Sequence, residues 1–461
     1  MTKKITPIIV LFRQDLRLKD NPALAYACQT GQPIIPLYIL DDESAGKWKM
    51  GGASRWWLHH SLKSLGQSLQ EKGSQLFLSR GETVRVLSEL IQKYQVSALF
   101  WNRCYEPYNL QLEQKLKELL PNTKSFNSSL LFEPWDIWNK QHQSFKVFTP
   151  FWNNCMEVLS VEEAYPEPHQ ITTMSIESDH LDSWSLLPKH PDWSEGFYKR
   201  WEVGENAAHA KVNHFIKESI ETYDQGRDIP SLDSTSSLSP HLHFGEISPK
   251  QIFRMTKGVP RNDKFLSEIG WREFSYYQLY HFPLLPEQPW RPEFSQFRWD
   301  TNPDLLKKWQ QGMTGYPIVD AGMRQLWKTG WMHNRVRMIC GSFLVKDLFI
   351  SWREGAKWFW DTLVDADLAS NSSSWQWVSG CGFDAAPFFR IFNPILQSEK
   401  FDPEGIYIKR WIPELAKVPT TFIHKPWKIC SDLGLPYPSP IVNHDQARKR
   451  ALDEFKRIKR E

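Results

Sequence analysis

From its amino end the chain alternates short apolar runs with longer stretches in which apolar positions recur every three or four residues. The runs PIIVLF (7–12), PIIPLYIL (33–40), SQLFLS (74–79) and SALFWN (97–102) predict strands. ASRWWLHHSLKSLGQSLQEK (53–72) and ETVRVLSELIQKYQ (82–95), lying among them, predict helices. Strands and helices in alternation make a parallel sheet with crossover helices. The first strand runs into RQDLRLKDNPAL (13–24) with no GxGxxG, so the dinucleotide fingerprint is absent here. The alternation fades near residue 130. Residues 154–200 are polar, acidic and proline-bearing without a sustained period, and 131–200 is read as a linker. Beyond 201 the pattern is helical, as in ENAAHAKVNHFIKESIETY and GMRQLWKTGWMHNRVRMICGSFLVKDLF, and the end ARKRALDEFKRIKRE predicts a short charged helix. The fold class is therefore α/β plus all-α: a Rossmann-like parallel α/β domain over 1–130, a long linker over 131–200, and a helical domain over 201–461.

Composition narrows the function classes. With 461 residues, 41% hydrophobic and 24% charged, the chain is an ordinary globular sequence with room for more than one core. It has no run of about 18 apolar residues and no leader pattern, so a cytoplasmic protein without a membrane span is expected. Six scattered cysteines without a CxxC pair exclude a disulfide framework and give no metal-ligand spacing. The outlier is 23 tryptophans against 14 tyrosines. The net charge of +3 decides nothing, but the stretch between Asp320 and Asp347 carries Arg324, Lys328, Arg335, Arg337 and Lys346 without a carboxylate. Such a stripe fits phosphates or, equally, a solvated helix face.

Four stretches carry candidate chemistry. DSTSSLSPHLHFGEIS places Thr235, Ser236, Ser237 and Ser239 ahead of a helix opening at Pro240, and hydroxyls with free amides at a helix start can hold phosphate. In GWMHNRVRM a helix sets Asn334 and Met338 on one face and His333 and Arg337 on the next. Glu268 stands three residues before Trp271, so an acid and an indole share a helical face, an arrangement suited to a nucleobase. In DADLASNSSSWQWVSG, Asp365 and Asp367 need cations or donors if buried, Asn371 offers an amide to a polar ring edge, and Trp375 and Trp377 must face different neighbours. Taken singly, each stretch also has an ordinary structural reading as a capped loop or a packed helix.

Taken together, LFRQDLRLKDNPAL, TSSLSPHLHFG, WREF, TGYPIVDAGMRQLWKTGWMHNRVRM and DADLASNSSSWQW, in that order across nearly the whole chain, resemble the photolyase/cryptochrome flavoprotein family, most closely its cyclobutane pyrimidine dimer DNA photolyases. The resemblance implies FAD in the helical domain, contacted by Tyr223, Thr235, Ser236, Ser237, Leu238, Ser239, Phe265, Arg337, Asp365, Ala366, Asp367 and Asn371. Within that set Arg337 pairs with Asp365, Asn371 faces flavin N5, and the serines of the last stretch fill a turn. Trp375, Trp352 and Trp299 match the family's electron-carrying tryptophans. Glu268, Trp271, Asn334, Met338 and Trp377 match its lesion pocket, and Arg227, Arg272, Arg335 and Gln397 approach damaged DNA. By the same resemblance blue light excites reduced flavin, an electron splits the dimer and returns, and Glu268, its pKa raised in an apolar pocket, donates to the dimer's carbonyl.

Photolyases of the (6-4) lesion place histidines where Asn334 and Met338 stand, which disfavours that specificity. A cryptochrome photoreceptor shares the flavin site, and a single-strand-preferring cryptochrome-like flavoprotein is a further alternative. EIGWREF and NSSSWQWVSGCGFDAAPFFRIFNP lean toward the bacterial class related to plant cryptochromes. An antenna chromophore is expected by resemblance, methenyltetrahydrofolate ahead of a deazaflavin, although WNRCYEPYNLQ has Tyr108 and Asn109 where some members hold folate with an Asn-Glu pair. A monomer is expected from the family.

Overall fold

The computed structural model describes residues 6–160, 162–386 and 389–459. By internal contacts the chain forms two compact units. One comprises Met1–Asp192, Trp201–Glu218 and Ser236–Pro283; the other comprises Trp193–Arg200, Ser219–Thr235 and Leu284–Glu461. These bounds cut across the division drawn from the sequence, because the segment 236–283 contacts the sheet-bearing residues more than the later helices.

The first unit is built on a five-stranded parallel sheet, β1 (Ile8–Phe12), β2 (Ile34–Leu40), β3 (Phe77–Arg80), β4 (Ala98–Asn102) and β5 (Thr123–Phe126), in the order β3-β2-β1-β4-β5. β1, β2 and β4 are wholly buried, as expected of apolar strands covered on both faces. The order reverses at β1 and β4, where an open α/β sheet ordinarily receives a ligand. Here side chains fill the strand ends. Arg13 bonds Glu113 at 2.5 Å and the Asn102 carbonyl at 2.7 Å, and Asn102 donates to Asp15 at 2.6 Å and to Asn21 at 2.7 Å. Asn109, one of the residues considered for a folate site, is likewise held, donating to Glu106 at 2.9 Å.

The stretch read as a linker is partly structured. The helix Phe148–Val158 buries Phe148, Phe151, Trp152 and Cys155, and Thr173 bridges to Ile34 beside β2.

The second unit is helical, with an isolated bridge between Asp300 and Ile350. The long pattern over 322–349 resolves into three elements. The helix Pro317–Thr329 stops at Gly330 in the left-handed region (φ 66°), a second helix runs Asn334–Ser342, and a π-helix follows over Phe343–Asp347. Gly330 is needed there: a Cβ would lie 2.7 Å from Phe197 and Val364.

Candidate functional site

In the helical unit the helix Leu368–Ser379 starts at Asp367, whose carboxylate accepts from the Ser370 amide at 2.8 Å. Ser372 to Ser374 lie inside this helix and not in a turn, because the Asp367 cap opens the helix before them and Gly380 closes it only after Ser379. Asp365 is buried and takes both of its contacts from one arm of Arg337, at 2.8 and 3.1 Å. The Arg337 side chain is 24% exposed against 3% for Asp365, and its Nε donates to the Met332 carbonyl. A buried carboxylate is thus tied to a cation that still reaches outward. Asn371 is fixed by its Nδ2, which donates to the Ala356 carbonyl at 3.1 Å. Among the described residues none donates to its Oδ1, so the amide presents an acceptor. Ala366 is buried nearby in sequence.

The two tryptophans of this helix look different ways, as expected. Trp375 is buried against Phe359 (5.0 Å) and Trp309 (6.3 Å), and Gly355 lets the next helix back onto it, since a Cβ there would lie 2.1 Å from the ring. Trp377 is half-buried, donates to the Asp384 carbonyl at 3.2 Å and lies under the Arg390 guanidinium at 5.8 Å. Trp352 is buried at the start of the helix Trp352–Thr362. Trp299 is half-buried against Phe297 (4.3 Å) and Phe349 (6.1 Å). The Asp300 amide bonds the Phe349 carbonyl, bringing Trp299's segment beside the one that leads into Trp352.

The basic stripe does not present a row of cations to phosphates. Arg324 pairs with Glu414 at 2.6 Å, Arg335 with Asp228 at 2.8 Å and Arg337 with Asp365, while Lys346 is buried and only Lys328 is exposed. The carboxylates come from distant segments. Arg335 also lies 4.5 Å over Phe401, and Arg227 lies 5.5 Å over buried Tyr223 and 3.8 Å from the same Asp228. Asn334 is exposed and Met338 half-buried, one turn apart on the helix Asn334–Ser342, and Gln397 is half-buried on Pro394–Phe401. His333 caps that helix instead of sharing a face with Arg337: it accepts from the Arg335 amide at 3.3 Å. Burial pushes its pKa down to about 4, with the neighbouring arginines adding to the effect and Asp228 opposing it. The ring is therefore neutral at ordinary pH.

In the sheet-bearing unit, Ser236 to Ser239 make a tight approach to the helix Ser239–His243. Ser237 is buried with φ 50°, and no side chain caps the helix start at Leu238. Thr235, half-buried, precedes them at the end of the segment Ser219–Thr235. A buried relay, which no sequence pattern marked, anchors this loop. His241 meets Glu246 at 2.5 Å, and Trp57 donates to the same carboxylate at 3.1 Å. All three are fully buried.

The helix Asp263–His281 carries buried Phe265, packed on Phe215 at 4.7 Å, and half-buried Glu268 and Trp271. Phe148 stacks on Trp271 at 3.9 Å and 11°, backing one face of the indole. Arg272 turns inward: it donates to the Ser129 carbonyl at 2.7 Å, faces the Tyr276 ring at 4.8 Å and is 12% exposed, so it is a packing cation and not a DNA contact. Glu273, one residue on, is buried and receives the Leu131 amide at 2.8 Å. Burial raises its pKa to about 7, against the pull of Arg272 and the two amides of Leu131 and Phe132.

Residues 8–169 match the family model described as DNA photolyase, and residues 265–457 match the one described as the FAD binding domain of DNA photolyase. The chain belongs to the photolyase/cryptochrome family. The deoxyribodipyrimidine photo-lyase of Agrobacterium fabrum is 47% identical over 480 aligned residues, spanning 100% of both chains. Cryptochrome-2 of Arabidopsis thaliana is 38% identical, over 96% of this chain and 77% of its own length. The crystal structure of a bacterial class III photolyase from Agrobacterium tumefaciens superposes with a TM-score of 0.96 at 46% identity, covering 100% of this chain and 99% of the other. The donor set fits the family's flavin: hydroxyls and uncapped amides suit phosphates, and the Arg337–Asp365 pair and the Asn371 acceptor suit a polar ring edge. Among the described residues no helix is long and apolar enough to cross a membrane.

Proposed function

We propose that the protein repairs cyclobutane pyrimidine dimers in DNA by light-driven electron transfer. When bound, fully reduced FAD excited by blue light supplies the electron that opens the two bonds joining the pyrimidines, and accepts it back. Tyr223 and Thr235 through Ser239 would hold the phosphates and ribityl chain, with Phe265, Arg337, Asp365, Ala366 and Asp367 around the rings. The observation that carries the reading is Asn371. Its Nδ2 is committed to Ala356, so it meets the flavin edge with an acceptor. Only reduced flavin carries a hydrogen at N5 to give to that acceptor, and reduced flavin is the form repair needs. Trp271, backed by Phe148, and Trp377 would wall the flipped dimer, with Asn334 and Met338 lining it, at an unstacking cost of about a few kcal/mol. Glu268 would donate to the dimer's carbonyl, and Glu268→Ala is expected to lower the splitting yield at least about tenfold; an unchanged yield removes that role. Arg227, Arg335 and Gln397 would approach the DNA backbone. Trp375, Trp352 and Trp299 would return oxidised flavin to the reduced form.

A light-harvesting second chromophore, methenyltetrahydrofolate ahead of a deazaflavin, belongs to the same reading and is tested by the absorption spectrum of the purified protein. A monomer is expected in gel filtration. The likeness to Cryptochrome-2 supports a second reading, a blue-light photosensor without repair. One experiment separates the two: photoreduce the flavin-bound protein, add oligothymidylate containing dimers, and follow thymine absorbance under blue light against a dark control. Light-dependent recovery is expected. No recovery, with flavin bound and photoreducible, makes the photosensor the better reading.

A further inference from the structure

Lys346 sits in the π-helix Phe343–Asp347 and is 3% exposed. Among the described residues it has no ion pair. Its Nζ donates to the Arg390 carbonyl, 44 residues on, and lies 4.7 Å over the Phe389 ring. The neighbouring carboxylate, Asp347, is turned to His444 at 2.6 Å. A buried ammonium without a carboxylate is costly, so a fold that keeps one uses it. Arg390, whose carbonyl it holds, carries its guanidinium over Trp377. Lys346, Trp377, Arg390 and Phe392 together line a cavity of about 20 Å³, room for one water. The Phe392 amide bonds Ser342, just before the π-helix, at 3.2 Å, so the segment is gripped on either side of Ile391 by one stretch of helix.

We propose that Lys346 is a positioning residue for Trp377: by gripping the Arg390 carbonyl it seats the Arg390 guanidinium on the indole and fixes the ring for a flipped base. The role rests on the reading of Trp377 as a wall of the lesion pocket.

The charge on Lys346 should set the grip. Burial lowers its pKa from 10.5 to about 7; the Cys381 thiol and Asp347 oppose the shift and Arg390 adds to it. Two signs then part. Since the folded-state value lies below the unfolded one, the Lys346 contribution to global stability is full above the unfolded pKa and is lost as pH falls through about 7. Stability from this group therefore rises with pH across that window. The grip does the reverse: above about pH 7 the charge-assisted hydrogen bond and the contact with Phe389 both weaken. A lysine that merely supported the fold would follow the first trend.

The test uses flavin-bound protein labelled with 5-fluorotryptophan, the Trp377 fluorine line assigned by Trp377→Phe, from about pH 6 to about pH 9. Affinity for dimer-containing oligothymidylate is measured alongside by fluorescence anisotropy. In the wild type the Trp377 line should move with a midpoint near neutrality, and dimer affinity should weaken about fivefold. Lys346→Arg should hold the low-pH line position and affinity throughout. Lys346→Met should be flat at the weaker value. A Trp377 line that stays still in the wild type, or that titrates equally in Lys346→Met, overturns the proposal; the wild-type titration and Lys346→Arg decide it even if Lys346→Met does not fold. A line that titrates only in the wild type, with Trp377→Phe binding dimers undiminished, supports the positioning of the ring and overturns the lesion-pocket reading beneath it.

Discussion

Two buried charge clusters, one at the strand ends of the sheet-bearing unit and one in the helical unit, follow opposite designs. At the ends of β1 and β4, Arg13, Asp15, Asn21, Asn102 and Glu113 satisfy one another, and Arg13 and Glu113 are 12% and 6% exposed. In the helical unit Asp365 is buried but Arg337 keeps 24% of its side chain exposed, with one arm on Asp365 and its Nε on Met332. The first cluster occupies the place where an α/β sheet of this order ordinarily takes a ligand, and it is closed. The second lies in a helical region for which topology offers no such rule, and it is open. Side chains, and not topology, decide where a ligand can sit.

The contrast predicts different failures. Asp365→Ala strands a cation that the flavin also uses, so the flavin-to-protein ratio after purification should fall by more than about tenfold; normal flavin content breaks the contrast. Glu113→Ala should instead destabilise the fold by about 3–5 kcal/mol, read by denaturant unfolding, while the protein that folds keeps its flavin. A smaller effect separates closed carboxylates from paired ones. Glu273 has a folded-state pKa near 7 against about 4.5 unfolded, so its contribution is full below the unfolded value and is lost as pH rises through about 7. Glu273→Gln should flatten the decline in stability between about pH 5 and about pH 7, and an unchanged slope would show that another group carries it. Smallest of all, Lys93→Ala, which removes an exposed contact with Glu177, should change stability by less than about 0.5 kcal/mol.

Four of the five strands were legible because they are buried apolar runs. The fifth, TKSF (Thr123–Phe126), was not: it is an edge strand with no fully buried residue, so its sequence carries no apolar run. Single-residue chemistry was legible where the partner is local, as with the Asp367 cap, and misread where it is remote. Arg324, Arg335 and Arg337 look like a free basic stripe because Glu414, Asp228 and Asp365 lie far away in sequence. Arg272 was misread for the same reason, its acceptor being the Ser129 carbonyl. The His241–Glu246–Trp57 relay behind the serine loop and the buried Lys346 left no periodic signature at all.

The π-helix over Phe343–Asp347 holds one more residue per turn than the α-helix leading into it needs. Removing a residue there would let the segment relax to an ordinary α-helix and swing everything after it by about 100°. Lys346 would then point away from Arg390, and Trp352 would enter its helix from another side. This stretch should therefore tolerate exchange of many side chains yet refuse a deletion, so that along these five residues the length of the chain is itself part of what the sequence specifies.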